Sequence, residues 1–160
     1  MIDAPKGFSI RIFVREGYER GFRLVEKSNW NGRGIICPRA HYIALRDRPE
    51  FSMAGVYLLL GPGAEIDMPR LYVGEGDPIR PRLESHYGKK DFWTTALFFV
   101  SPDEKLNKAH IQYLEARLVV LADAAKRCEL DNGNVPALPS LSEMDVRRRG
   151  PGLGNLFPPR

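Results

Sequence analysis

The sequence predicts an α+β fold in which a three-stranded antiparallel sheet is flanked by helices, preceded by a β-rich extension and followed by a flexible tail. Three observations carry this. Gly55–Leu60 (GVYLLL) and Arg70–Gly74 (RLYVG) are short apolar runs beside glycines, the pattern of buried strands. Phe92–Val100 (FWTTALFFV) is rich in β-branched and aromatic residues and suits a third, central strand. Before Arg127, Leu114, Leu118, Leu121 and Ala125 recur at helical spacing. The chain divides accordingly into an extension (1–50), a central domain (51–134) and a tail (135–160).

Within the extension, Phe8–Val14 (FSIRIFV) and Phe22–Glu26 (FRLVE) have the period-two alternation of half-buried strands. With REGYERG as the turn between them, they are expected to pair antiparallel. SNWNGRG is loop chemistry, and GIICP is a third short strand ended by Pro38. Residues 39–50 suit a short helix. In the central domain, residues 61–69 are the long turn of a hairpin between the two glycine-bounded strands. The next helix starts either at Asp77-Pro78, with aspartate as cap, or at Pro81. On either reading Arg82 and His86 share one face. Ser101-Pro-Asp-Glu104 matches a capping box for the last helix, which leaves Glu115 beside its apolar stripe. Asp131-Asn-Gly-Asn134 ends that helix. Beyond it prolines and glycines multiply around Arg147–Arg149 and a short LSEMDV turn, as in an extended or disordered tail.

Composition bounds the function. The 160 residues carry 24 Lys and Arg against 20 Asp and Glu, a net charge of +4 that permits a polyanionic partner. No run approaches the roughly 18 apolar residues of a membrane helix, and Asp3 and Pro5 stand where a secretory signal needs basic and apolar residues. A soluble cytoplasmic protein is expected. Cys37 and Cys128, far apart and outside any CxxC, exclude a disulfide framework or a structural zinc site. Both are expected as reduced thiols.

Taken singly, Tyr57 and Tyr72 read as core tyrosines, Arg82 and His86 as a solvated helix face, and Glu115 as a boundary residue. Their order and spacing say more. GVY at Gly55–Tyr57, YVG at Tyr72–Gly74, Arg82 ten residues after Tyr72, His86 four further on, and Glu115 in the following helix resemble the GIY-YIG nuclease superfamily. The resemblance covers residues 53–134.

That resemblance implies hydrolysis of a DNA phosphodiester with one divalent cation, magnesium or manganese. Glu115 would be its protein ligand, with water and phosphate oxygens as the others. Arg82 would hold a phosphate oxygen with a planar fork that lysine lacks. Tyr72, with Tyr57 hydrogen-bonded nearby, would activate the attacking water, or His86 would accept the proton, directly or through Tyr72. The family also tends to carry an asparagine after the glutamate helix; Asn132 and Asn134 are the candidates, with Asn134 preferred. The basic residue that many relatives carry after YVG is replaced here by Glu75.

Arg80, Lys89, Lys90 and Lys108 read as surface charge, and the first three would also suit a patch that tracks a nucleic-acid backbone. Trp30, Arg33 and Arg39 suit either stacking on a base or, the favoured reading, a tryptophan covering one end of the sheet. His41 and His110 read as structural. An alternative function is a nucleic-acid-binding module whose nuclease site is idle or needs a partner. A third is an effector-like nuclease with strict sequence choice.

Overall fold

The computed structural model describes residues 7–15, 21–103 and 105–135. Ile10–Val14 (β1), Arg23–Lys27 (β2) and Arg33–Pro38 (β3) come first, followed by short helical turns that include Tyr42–Leu45 (α1). Gly55–Gly61 (β4), Arg70–Gly76 (β5), Arg80–Lys89 (α2), Thr95–Val100 (β6), Lys108–Ala125 (α3) and Glu129–Leu130 (β7) complete the order.

All seven strands form one open sheet, β1-β2-β3-β6-β4-β5-β7. It is antiparallel except for the β5–β7 pair. The expected three-stranded sheet is therefore corrected to seven strands, within the α+β class. The physical reason lies in β6. β4 pairs along one edge of it, and its other edge would leave a row of unpaired backbone groups beside the core. β3 fills that edge from Arg33↔Val100 to Pro38↔Thr95, and β2 and β1 follow in hairpin register. The N-terminal strands thus extend the same sheet, and β6 is central, as expected. The turn over residues 16–20, Glu104 and the tail from 136, with Arg147–Arg149 and LSEMDV, lie outside the described residues.

Alternation along β4 defines two cores. Tyr57 and Leu59 face a cluster with Tyr42, Phe51, Ile79, Leu83, Trp93 and Phe98, covered by α1 and α2. Val56, Leu58 and Leu60 face Val73, Leu114, Leu118 and Val119, covered by α3. The helices therefore lie on opposite faces of one sheet.

Both helix starts differ from the caps expected of them. Asp77 does not cap α2, whose N-cap is Ile79 with Pro81 in the first turn, where its missing N–H costs nothing. Ser101 does not cap α3. Its hydroxyl bonds to Asp103, and Asp103 also accepts from the Asn31 side chain and the Lys105 N–H, so these groups form a local turn instead. Asn107 caps α3, its side chain accepting the His110 N–H at 2.9 Å while His110 Nδ1 accepts the Asn107 N–H at 3.4 Å. Ile111, Ala116 and Val119 of α3 are buried, the partly buried Leu114, Leu118 and Ala122 pack on the same core, and Ala125 is exposed. The last turn is closed by Lys126 at φ 52°, whose N–H donates to the Asp123 carbonyl.

Two residues weighed as nucleic-acid contacts have other partners. Trp30 lies across Gly32 and against Phe99, ring centroids 6.1 Å apart. Arg39 donates to the carbonyls of Tyr87 and Lys90, both at 2.7 Å, and its guanidinium stacks on Tyr87 and Trp93. It thereby satisfies two carbonyls at the end of α2 with a cation, where the helix dipole favours positive charge. Arg39→Ala is expected to lower stability by about 3 kcal/mol in urea unfolding, and Arg39→Lys to restore less than half of that. A loss below about 1 kcal/mol would sink this account of the α2 terminus.

Candidate active site

The site grows from the β4–β5 register. Tyr57 pairs with Gly74, and the Tyr57 ring crosses the β5 backbone there. A Cβ on Gly74 would lie 2.3 Å from the Tyr57 hydroxyl, so only glycine leaves room for it. Gly55 has a matching constraint, since its Cβ would meet the Phe99 carbonyl at 2.1 Å. The glycines of GVY and YVG thus serve close packing. Tyr57 is fully buried and its hydroxyl lies 2.7 Å from His86 Nε2.

Leu83 anchors α2 in the core, which aims Arg82 and His86, one turn apart, at the edge of β5. The His86 ring packs edge-on to Tyr72, centroids 4.8 Å apart. The Lys90 ammonium sits 4.5 Å over the Tyr72 ring and bonds to Asp131. Arg82 is exposed, and its Nε donates to the Glu75 carbonyl at 3.3 Å. Its terminal nitrogens extend from that anchor.

From the other face, α3 brings Glu115 and Lys108. Glu115 is half-buried between Ile111 and Val119 on the helix surface. The Lys108 ammonium grips both oxygens of the buried Glu75 carboxylate, at 2.6 and 2.8 Å. Electrostatics join the groups. Burial, then Tyr72, Glu115 and Glu75, push the Tyr57 phenol far up, against an opposing effect of Arg82. Burial and Glu75 raise the Glu115 carboxyl, with Arg82 and Lys108 opposing. Burial, then Lys90 and Arg82, push His86 down to about 4. At neutral pH the Tyr57–His86 pair is uncharged on both sides and shares one proton.

The edge of β5 is where these parts meet. β7 pairs only with Arg70 and Leu71. The Asn132 amide then takes over, accepting the Val73 N–H at 3.0 Å and donating to the Val73 carbonyl at 2.7 Å. Beyond Val73 the edge is left to Arg82 and the site. Tyr57, Tyr72, Arg82, His86 and Glu115 therefore converge, with Lys90 beside them. Arg80 is engaged by Asp47 and Glu84, Lys89 is exposed, and Asn134 is exposed past the turn. Of the two asparagines it is Asn132, not Asn134, whose side chain is tied to β5.

Sequence reasoning missed the Glu75–Lys108 pair and the grip of Asn132. Glu75, a carboxylate in the otherwise apolar and glycine-rich end of β5, was the signal that a cation arrives from elsewhere in the fold. Lys108 lies 33 residues away, beyond any local pattern. No protein-family model matches the chain, no curated protein aligns with it significantly, and no solved structure matches it significantly.

Two outcomes test this geometry. In the unfolded chain His86 should titrate near 6.5, and in the folded protein near 4. The unfolded state then binds the proton first, so the His86 contribution to stability is complete above about 6.5 and declines as pH falls towards 4. NMR titration should find His86 neutral down to pH about 5; a midpoint near 6.5 would contradict the packing described. Separately, Gly74→Ala should destabilise the protein by about 2 kcal/mol in thermal or urea unfolding and raise the His86 midpoint, because the Tyr57 hydroxyl must move.

Proposed function

We propose that this chain is a divalent-metal-dependent endonuclease that hydrolyses DNA phosphodiesters, as its resemblance to the GIY-YIG superfamily implies. The observation that supports this most is the convergence of Tyr57, Tyr72, Arg82, His86 and Glu115 at one strand edge from both faces of the sheet.

The donor set fits a hard cation. Glu115 is a half-buried carboxyl pushed up by desolvation and by Glu75, and a divalent ion would offset both effects. Among the described residues no group of three or more His, Cys, Asp or Glu side chains is placed to hold a metal. An ion on Glu115 would therefore keep water and phosphate oxygens as its other ligands, which suits magnesium or manganese. When bound it would polarise the phosphate and stabilise the leaving oxygen.

The chain's own residues divide the remaining work. Arg82, anchored through Nε to β5, offers its terminal nitrogens to a non-bridging phosphate oxygen and to the charge that develops there. Tyr72, half-buried, is the tyrosine that water reaches; as the phenolate, its own proton having passed to solvent, it orients the attacking water and takes a proton from it. Tyr57 is sequestered, so it acts as a positioning residue that fixes His86. His86 in turn packs edge-on against Tyr72 and holds its ring in place as an uncharged partner. Exposed Lys89 offers a positive charge towards the DNA backbone, whereas Lys90 is held by Asp131. Such an enzyme would act in the cytoplasm.

The second reading, a nucleic-acid-binding module with an idle or partner-dependent site, draws on one observation. Glu75 is buried beside Glu115 and is neutralised by Lys108 instead of offering a cation of its own. A magnesium-dependent cleavage assay on single-stranded, duplex, branched and plasmid DNA, with RNA as control, separates the two. Cleavage by wild type that falls at least about 100-fold in Arg82→Ala and Glu115→Ala, with folding intact by circular dichroism, is the expected result. Tyr72→Phe should cost more than Tyr57→Phe. Normal rates in either alanine variant would overturn the assigned roles, and metal-independent binding without cleavage of any substrate would favour the module.

A further inference from the structure

β1 is the outermost strand of the sheet, and among the described residues nothing pairs with its free edge. Edge strands are commonly protected by proline, lysine, a bulge or shortness. Residues 9–14 contain no proline, glycine or lysine, and Arg11 is the only charged residue. The strand is also apolar where it meets solvent: Ile10, Ile12 and Phe13 are 56, 60 and 62% exposed, and Val14 is exposed as well. Neither α2 nor α3 reaches it, since both pack on β4, β5 and β6. A regular strand with apolar residues on both faces and an unpaired edge is a surface built to be covered.

We propose that β1 pairs antiparallel with β1 of a second copy of this chain, joining two seven-stranded sheets into one across a twofold axis. The backbone supplies the first argument. The Ser28 N–H donates to the Ser9 carbonyl and the Arg15 N–H to the Phe22 carbonyl, so odd positions of β1 bond towards β2. The N–H and C=O groups of Ile10, Ile12 and Val14 therefore aim outward. A twofold axis at Ile12 sets Ile12 opposite Ile12, and Ile10 opposite Val14 of the other copy. All three residues then exchange hydrogen bonds with their counterparts.

Side-chain chemistry selects the same register. With the axis at Ile12, the Ile10, Ile12 and Val14 side chains of both copies line one face. On the other face each Arg11 lies opposite Phe13 of the second copy, a cation beside an aromatic ring. An axis at Arg11 would oppose two guanidinium groups, which destabilises a cross-strand pair. An axis at Phe13 would carry Ile10 past the end of the opposing strand. The Ile12 register alone pairs every outward group without opposing like charges. Because the same patch serves both copies, the interface closes at two. Nothing in the chemistry proposed for the β5 edge is required for this pairing.

Light scattering coupled to size exclusion on the full chain should give twice the 18.1 kDa chain mass. Ile12→Lys puts two ammonium groups at the axis, and Ile12→Pro removes an outward donor without touching the ladder to β2. Both should give monomers whose circular dichroism matches wild type. A single cysteine reads the register. In a Cys128→Ser background, Ile12→Cys should form an intermolecular disulfide on mild oxidation, because opposed residues of a bonded antiparallel pair lie about 5.5 Å apart at Cα. Phe13→Cys should not. A wild type that remains monomeric at about 100 µM, a dimer that survives both Ile12 variants, or open-ended oligomers would overturn the proposal.

Discussion

A tyrosine hydroxyl laid across a glycine is the contact on which this molecule depends. Tyr57 crosses the β5 backbone at Gly74 and reaches His86 on α2, so one residue ties two strands and a helix together. The contact also secures register. A slip of one residue between β4 and β5 would turn Tyr57 and Leu59 to the α3 face and place a side chain under the phenol ring. The two glycine-containing motifs follow from this: one lets β4 approach the β6 backbone, and the other lets the tyrosine lie down. Burial holds His86 neutral, with the cations of Lys90 and Arg82 adding to the effect.

Placement at a strand edge explains how residues from opposite faces of a sheet can share chemistry. The interior of the sheet would separate α2 from α3 by a full layer of backbone. Among the described residues no further strand pairs with β5 beyond Leu71, and Asn132 closes only the next pair of backbone groups. Arg82 and His86 reach around from one side, while Glu115 and Lys108 reach around from the other. The very short β7 leaves this place open: a longer strand would cover the point where the groups meet.

Charge is balanced locally at this edge. Glu75 and Lys108 neutralise one another, and so do Asp131 and Lys90. Each pair leaves a cation beside a residue of the candidate site, Lys108 near Glu115 and Lys90 over Tyr72. The buried Glu75 would be costly without Lys108, since an unpaired buried charge is strongly disfavoured. Its presence therefore accounts for a lysine at the start of α3, where the helix dipole by itself favours an acidic residue.

Period-two alternation in β1 and β2, the glycine-bounded apolar runs of β4 and β5 and the aromatic run of β6 were legible as strands because they depend on local pattern alone. The order Tyr57, Tyr72, Arg82, His86, Glu115 was legible for the same reason, as spacing along strands and helices. What tertiary structure decided was every choice between equivalent local options. Ser101 could cap a helix until Asp103 took its hydroxyl, and Asn107 capped it instead. Arg39 looked available to a ligand until the carbonyls of Tyr87 and Lys90 claimed it. Between the two asparagines local pattern favoured Asn134, and it is Asn132 that meets Val73. The strand count changed because β3 and β6 find each other across some 60 residues, and a strand's pattern records that it will be buried without recording which edge will lie beside it. Local periodicity is written into the chain; the partners of its edges and of its charges exist only once it has folded.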